Sequence, residues 1–181
     1  SIFNLYFEPG CGMDSTTDAL QIARRAVVCQ VFQDISDFIN TPLKNTGNKV
    51  HIWIRNINAV QPNANGVLGL ASSFYNLPNS PIVGGIADNE IWKTITLGSD
   101  SYANVTAPLV PFGGSSDASG FFYHGMLAVN FTAINWHTNL NTLPSAGVFD
   151  LYSVVLHEVT HALGFASLID ENGNSKFGAT A

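Results

Sequence analysis

The alternation of hydrophobic and polar residues predicts a strand, a long helix and a second strand in the first third of the chain. Residues 2–7 form a strand-like run that a Pro-Gly turn ends, and residues 50–57 alternate with period two. Three polar residues can cap the helix between them: Asp14, Ser15 and Thr16. Its apolar residues recur at spacings of mostly three or four, up to an end near Asn40: Leu20, Ala23, Val27, Val31, Ile35 and Phe38. A helix of this length suits a crossover, so the two strands are expected to be parallel neighbours.

The period-two run at 50–57 indicates which of its side chains share one face. Four apolar residues fall near that face: Val50, Ile52, Ile54 and Ile57. The chain is then irregular up to residue 123, with short strands predicted at 66–75 and 91–97. A further strand is predicted at 125–131, followed by an apolar helix at 149–164 that Gly164 ends. No repeat or linker divides the chain, so we expect a single domain, 1–181, of the α/β (α+β) class.

The amino-acid composition and net charge indicate an exported protein and argue against a nucleic-acid partner. Hydrophobic residues make up 46% of the 181 residues and charged residues only 11%, so Asn, Ser and Thr must supply most of the polar surface, as is common in exported proteins. A net charge of −6 without Lys/Arg clusters argues against a nucleic-acid partner. No apolar run is long enough to cross a bilayer. Ser1 leads directly into a strand-like segment, so we expect a secreted protein whose signal peptide has been removed.

The two cysteines, Cys11 and Cys29, bear on the same question. In an exported protein a pair of cysteines suggests one disulfide, here between the loop after the first strand and the long helix. The alternative is two free thiols, with Cys29 buried in the helix and Cys11 in a loop. We expect the disulfide.

One motif, His157-Glu158-x-x-His161, lies inside the apolar helix at 149–164. Residues four apart on a helix lie on one face, so the two imidazoles can converge on a single Zn²⁺. Glu158 lies beside the metal rather than on it, where its carboxylate can take a proton from zinc-bound water. Chance gives roughly 0.003 occurrences of this motif in a chain with this content of His and Glu. The alternative is a helix with two partly buried histidines held by hydrogen bonds.

The run His157-Glu158-x-x-His161-x-x-Gly164 resembles the metzincin clan of zinc metallopeptidases. With Ala162, Leu163 and Phe165 it is especially similar to leishmanolysin and related secreted bacterial metallopeptidases. The resemblance implies the N-terminal lobe of a zincin fold: a twisted, mostly parallel sheet backed by one long helix and the active-site helix, with an antiparallel edge strand above the cleft.

In this resemblance the strand predicted at 125–131 takes the place of the edge strand. An extended peptide substrate would hydrogen-bond to it by β-augmentation. The expected substrate-binding residues are Gly125, Met126, Leu127 and Ala128.

The chain also departs from the family pattern. Ser167 stands where the shorter metzincin motif has its third His, and both methionines precede the helix, so no Met-turn follows it. We therefore expect the C-terminal lobe, with the third ligand and the Met-turn, to be absent from this chain. Asp170 and Glu171 are local carboxylates, but their surroundings favour a polar turn. The three remaining histidines are not expected to bind metal: His51, His124 and His137.

The expected function is that of a zinc-dependent endopeptidase, with Zn²⁺ as its cofactor, Glu158 as general base and a protein or peptide as its substrate. The alternative is an inactive or incomplete zincin-fold lobe that acts as a binding module. A carbohydrate- or surface-binding domain would use the Trp, Tyr and Asn content but leaves the motif unexplained. The third ligand discriminates between the first two, because catalytic zinc sites ordinarily have three protein ligands.

Overall fold

A computed structural model describes residues 1–39, 49–74, 90–98, 100, 102, 117–132 and 134–165. The elements are β1 (Phe3–Phe7), α1 (Ala19–Ile39), β2 (Val50–Asn56), α2 (Ile57–Val60), β3 (Gly69–Ser73), α3 (Glu90–Leu97), β4 (Gly125–Val129), β5 (Trp136–His137), β6 (Phe149–Asp150) and α4 (Leu151–Ala162). Among these helices none is long and apolar enough to cross a membrane.

Four of the strands form one mixed sheet in the order β1-β2-β4-β3. The first three of these are parallel, with Phe3 opposite Val50 and Ile52 opposite Gly125. β3 runs antiparallel to β4, with Gly69 opposite Val129. The predicted α/β class and mostly parallel sheet are confirmed, as is the crossover of α1 between β1 and β2.

The expected position of the strand at 125–131 is wrong. β4 is an interior strand, because β2 pairs with one of its edges and β3 with the other. The backbone groups of Gly125, Met126, Leu127 and Ala128 lie in this doubly paired strand, so they have no free edge to offer a peptide. The antiparallel edge strand is β3, within the stretch predicted as a strand at 66–75.

Both long helices pack on one face of the sheet. In this main core the middle of α1 and the inner side of α4 meet side chains of the parallel strands, among them Val31, Phe32, Ile52, Leu127, Val155 and Val159. A hydrogen bond of 2.7 Å from the Tyr152 hydroxyl to Asp34 Oδ2 ties α4 to α1 directly. The opposite face carries a smaller cluster in which Trp53 stacks on Tyr123 with ring centroids 4.9 Å apart. The face that holds α4 is therefore fixed by the largest apolar cluster of the described residues.

Two details of the predicted α1 differ. The helix begins at Ala19, and its cap is Asp18, whose Oδ1 accepts the Gln21 N–H at 2.9 Å. The three predicted caps lie in the turn that precedes it. Only the middle of the predicted stripe is buried, since Leu20 and Phe38 are 53% and 90% exposed.

The run at 91–97 is a helix and not a strand. In α3 the buried residues are Glu90, Ile91, Thr94 and Ile95, which is the spacing of a helix face. Ile57 likewise leaves the period-two strand, because Asn56 caps a short helix there and its side chain accepts the Asn58 N–H. β-branched residues favoured strands in both places, and burial against the sheet decided otherwise.

The expected disulfide is also wrong, because Cys11 and Cys29 are both free thiols. Cys11 is fully buried in the main core, whereas Cys29 lies on the exposed side of α1. The helix turns about 100° per residue, so Cys29 points away from the sheet that its neighbours Val27, Val28 and Val31 contact. The free-thiol alternative had Cys29 buried and Cys11 in a loop, whereas in the structure Cys11 is the buried thiol and Cys29 the exposed one.

Candidate metal and catalytic site on α4

α4 is a helix because its sequence supplies both a cap and a buried stripe. The Asp150 side chain accepts the Ser153 N–H at 3.0 Å and so satisfies one free donor of the first turn. The buried stripe consists of Leu151, Val155, Val159 and Ala162. His157 lies on the outer side of the helix and is exposed, and His161 is half-buried. The packing of the stripe thus presents the two histidines at the surface.

The end of α4 is shaped by Gly164. Its φ is +108°, a conformation that suits glycine, and its N–H donates to the His161 carbonyl at 3.0 Å. The Phe165 N–H donates back to the Thr160 carbonyl at 3.1 Å, which completes a Schellman turn. This turn brings the Phe165 carbonyl oxygen within 2.7 Å of His161 Nδ1. The glycine that ends the helix therefore also places an acceptor beside the second histidine.

The two imidazoles converge on one point. The Nε2 atoms of His157 and His161 are 3.2 Å apart, with ring centroids 4.7 Å apart and ring planes at 89°. Two nitrogen ligands of a tetrahedral zinc, each about 2.0–2.1 Å from it, are about 3.3 Å apart. His161 Nδ1 donates its proton to the Phe165 carbonyl, so its Nε2 presents a lone pair. The pair has the spacing and, at His161, the tautomer that a zinc ion requires.

Glu158 is half-buried where α4 crosses the edge strand. A Cβ added to Gly69 of β3 would lie only 3.2 Å from Glu158 Cγ. Within the described ranges no donor hydrogen-bonds to the Glu158 carboxylate. The carboxylate is therefore beside β3, the edge strand among the described strands, and has no hydrogen-bond partner among the described residues.

The described residues do not complete a zinc site. Across those ranges, no group of three His, Cys, Asp or Glu side chains is placed to hold one metal ion. His157 and His161 supply two ligands. The local carboxylates weighed from the sequence, Asp170 and Glu171, lie outside the described residues, as does Ser167.

The other three histidines have partners of their own. His124 is fully buried; its Nδ1 accepts the His51 N–H at 2.9 Å and its Nε2 donates to Asp100 Oδ1 at 3.0 Å. His51 Nδ1 lies 3.0 Å from the Tyr6 hydroxyl. Burial lowers the pKa of His51, and the nearby His124 lowers it further. His137 Nε2 bonds to the Thr142 carbonyl at 2.9 Å.

The contribution of β3 to this site was not predicted from the sequence. Gly69 contacts the Glu158 side chain, and Ala71 on the same face of the strand packs against the main core. One signal was present in the sequence, because a glycine within a strand-like run often marks the close approach of another group. Strand order carries no comparable local signal.

Comparison of the chain with protein-family models, with curated proteins and with solved structures found no match. The motif and the geometry of α4 are therefore the observations that bear on function.

Proposed function

We propose that the protein is a zinc-dependent endopeptidase of the metzincin type, with His157 and His161 as metal ligands and Glu158 as general base. The observation that carries the proposal is the 3.2 Å approach of the two Nε2 atoms. The hydrogen bond from His161 Nδ1 to the Phe165 carbonyl supports it, because metal-binding histidines commonly donate their other ring N–H in this way. Export from the cell remains part of the proposal and rests on composition alone.

The histidines and Glu158 have separate roles in the proposed hydrolysis. When bound, zinc acts as a Lewis acid and lowers the pKa of a coordinated water to about 7. Glu158 accepts a proton from the attacking water and then delivers it to the leaving amine. No hydrogen bond or ion pair within the described ranges occupies the carboxylate, so it is available for both transfers. The chain thus supplies a base and two ligands on adjacent turns of one helix.

The edge strand β3 is the proposed substrate platform. It is the last strand of the sheet, so among the described strands none pairs with its outer edge. An extended peptide can add to such an edge through main-chain hydrogen bonds. Because Gly69 of β3 contacts Glu158, a peptide on this edge lies next to the general base. The predicted mode of binding is kept, and the strand that provides it changes from β4 to β3.

The alternative is a zincin-fold lobe that binds partners without catalysis. One observation favours it: the described residues provide two of the three protein ligands that catalytic zinc sites ordinarily have. The endopeptidase needs zinc to hydrolyse peptide bonds, whereas the binding module hydrolyses none with or without zinc.

The experiment is metal removal and return. The protein is treated with a zinc chelator and dialysed, and hydrolysis of fluorescein-labelled casein is followed as zinc is added back. The endopeptidase proposal expects a form of the protein that carries the third ligand to lose its activity on zinc removal and to recover it as about one zinc per chain is bound. Casein hydrolysis that is unaffected by zinc would refute the metal mechanism. Zinc binding without hydrolysis at any zinc level would favour the binding module.

A further inference from the structure

The backbone conformation at Gly69 is one that any residue can adopt. Its φ lies outside the left-handed region, and it pairs in register with Val129 as an ordinary strand residue. Glycine weakens a strand interior, because it loses more backbone freedom on folding and has no side chain to pack. The residue is therefore explained by the space that it leaves and not by its conformation.

That space is filled by Glu158. A Cβ on Gly69 would lie 3.2 Å from Glu158 Cγ, 3.8 Å from Glu158 Cδ and 3.2 Å from the Ala128 carbonyl oxygen. The Ala128 oxygen belongs to the interior strand β4, which pairing on both edges holds in place. The Glu158 side chain is the movable neighbour, so a methyl group at position 69 would push it by a few tenths of an ångström and a larger side chain would push it further.

The Glu158 side chain lies against Gly69, so the space at this glycine limits where its carboxylate can lie. Within the described ranges no hydrogen bond fixes its carboxylate, in contrast to His161, which the Phe165 carbonyl holds. A general base must lie within hydrogen-bond reach of the proton that it takes. A displacement of about 1 Å can lower a rate about 100-fold.

We infer that Gly69 is a positioning residue, whose missing side chain sets the place of the Glu158 carboxylate beside the edge strand β3. The inference rests on the proposed function. Gly69 itself contacts no substrate and acts only through the position of Glu158.

The kinetic test compares Gly69→Ala and Gly69→Val with Tyr152→Phe. The Tyr152 variant is a matched control, since it weakens the packing of the same helix by removing the bond to Asp34 without touching Glu158. We expect kcat for casein to fall severalfold in Gly69→Ala, where Glu158 shifts by a few tenths of an ångström, and about 100-fold in Gly69→Val. KM and zinc stoichiometry should stay unchanged, and Tyr152→Phe should lower the thermal midpoint but keep its kcat. A wild-type kcat in both Gly69 variants, or an equal loss in Tyr152→Phe, would overturn the inference.

A second readout does not depend on activity. The thermal midpoint of the metal-free protein is measured for Gly69→Ala, for Glu158→Ala and for the double variant. If the new methyl group collides with Glu158, the drop caused by Gly69→Ala should shrink by at least half once Glu158 is truncated. An equal drop in both backgrounds would overturn the inference, and this measurement still decides if Gly69→Val does not fold.

The two proposals fail in different ways. Full casein hydrolysis by Glu158→Ala would remove the proposed function and this inference together. An inactive Glu158→Ala beside fully active Gly69 variants would remove the inference alone.

Discussion

The chain holds two pairs of histidines whose rings lie against each other, and the pairs differ in what their nitrogen atoms face. His51 and His124 stack with centroids 5.3 Å apart and planes at 17°, inside a network with Tyr6 and Asp100. His157 and His161 meet edge to face, and their Nε2 atoms point at each other at the protein surface.

The surroundings of the ring nitrogens separate the structural histidine pair from the pair that we propose binds metal. Both ring nitrogens of His124 are occupied by groups of the protein, so it has no lone pair left for a cation. His161 has one nitrogen held by a carbonyl and the other directed at a second imidazole. Proximity of rings is common to both pairs, and the orientation of the nitrogen atoms separates them.

The largest expected effect comes from the base that accompanies only one of the pairs. Glu158→Gln keeps the shape of the side chain but cannot accept the proton, so casein hydrolysis should fall by roughly 10²–10⁴-fold. Zinc content, measured by mass spectrometry, should equal that of the wild type because Glu158 is not a ligand. Undiminished turnover in this variant would remove Glu158 from the mechanism.

The next effect separates the pairs directly. His161→Ala removes a proposed zinc ligand, so zinc affinity should fall by more than the roughly 10–100-fold that loss of an outer-shell partner costs. His51→Ala is the matched control and should leave zinc affinity unchanged. Competition with a fluorescent chelator measures both. A similar loss of zinc in the two variants would erase the distinction between the pairs.

A smaller effect concerns stability, which should depend on the buried His124 more than on an exposed histidine. His124→Ala leaves the His51 N–H without its acceptor and removes one of the two donors to Asp100 Oδ1, the other being the Tyr102 N–H. The loss should lower the free energy of unfolding by about 1–3 kcal/mol. His137→Ala removes exposed hydrogen bonds to the carbonyl and the hydroxyl of Thr142 and should cost less than about 1 kcal/mol. Urea unfolding of the metal-free proteins checks the order, and equal costs would contradict the structural role of His124.

The smallest effect is a pH dependence of stability. Burial, followed by the effect of His124, lowers the pKa of His51, so the unfolded chain binds a proton there more readily than the folded one. The stabilisation is therefore fully present above the unfolded pKa of about 6.5 and is lost as the pH falls through the lower folded pKa. We expect the free energy of unfolding of the metal-free protein to decrease between about pH 7 and pH 5, by no more than about 1.4 kcal/mol per pH unit for this group. His51→Gln should flatten that slope, and an unaltered slope would assign it to other groups.

Local patterns predicted most of the fold. Residue patterns predicted three strands and both long helices, because these elements pack their apolar side chains into one core. The strands are those at 2–7, 50–57 and 125–131. α3 was missed because β-branched residues such as Ile91 and Ile95 favour strands, while their burial in the protein follows a helical spacing. The disulfide was wrong because side-chain direction around α1 separates Cys29 from the core that holds Cys11.

The site was predictable only as far as it is local. The spacing within α4 places His157 and His161 together, and Gly164 forms the turn that holds His161. The role of β3 was not predictable, because pairing of β3 with β4 depends on the path of the chain between distant segments. Gly69 is the part of that pairing that the sequence did mark.

The most direct test of the account is X-ray absorption at the zinc edge of the zinc-loaded protein. The account predicts imidazole nitrogen scattering at about 2.0–2.1 Å from the metal that corresponds to at least two histidines and weakens in His161→Ala. Zinc without imidazole in its first shell, or a spectrum that is identical in His161→Ala, would contradict the claim that this pair holds the metal.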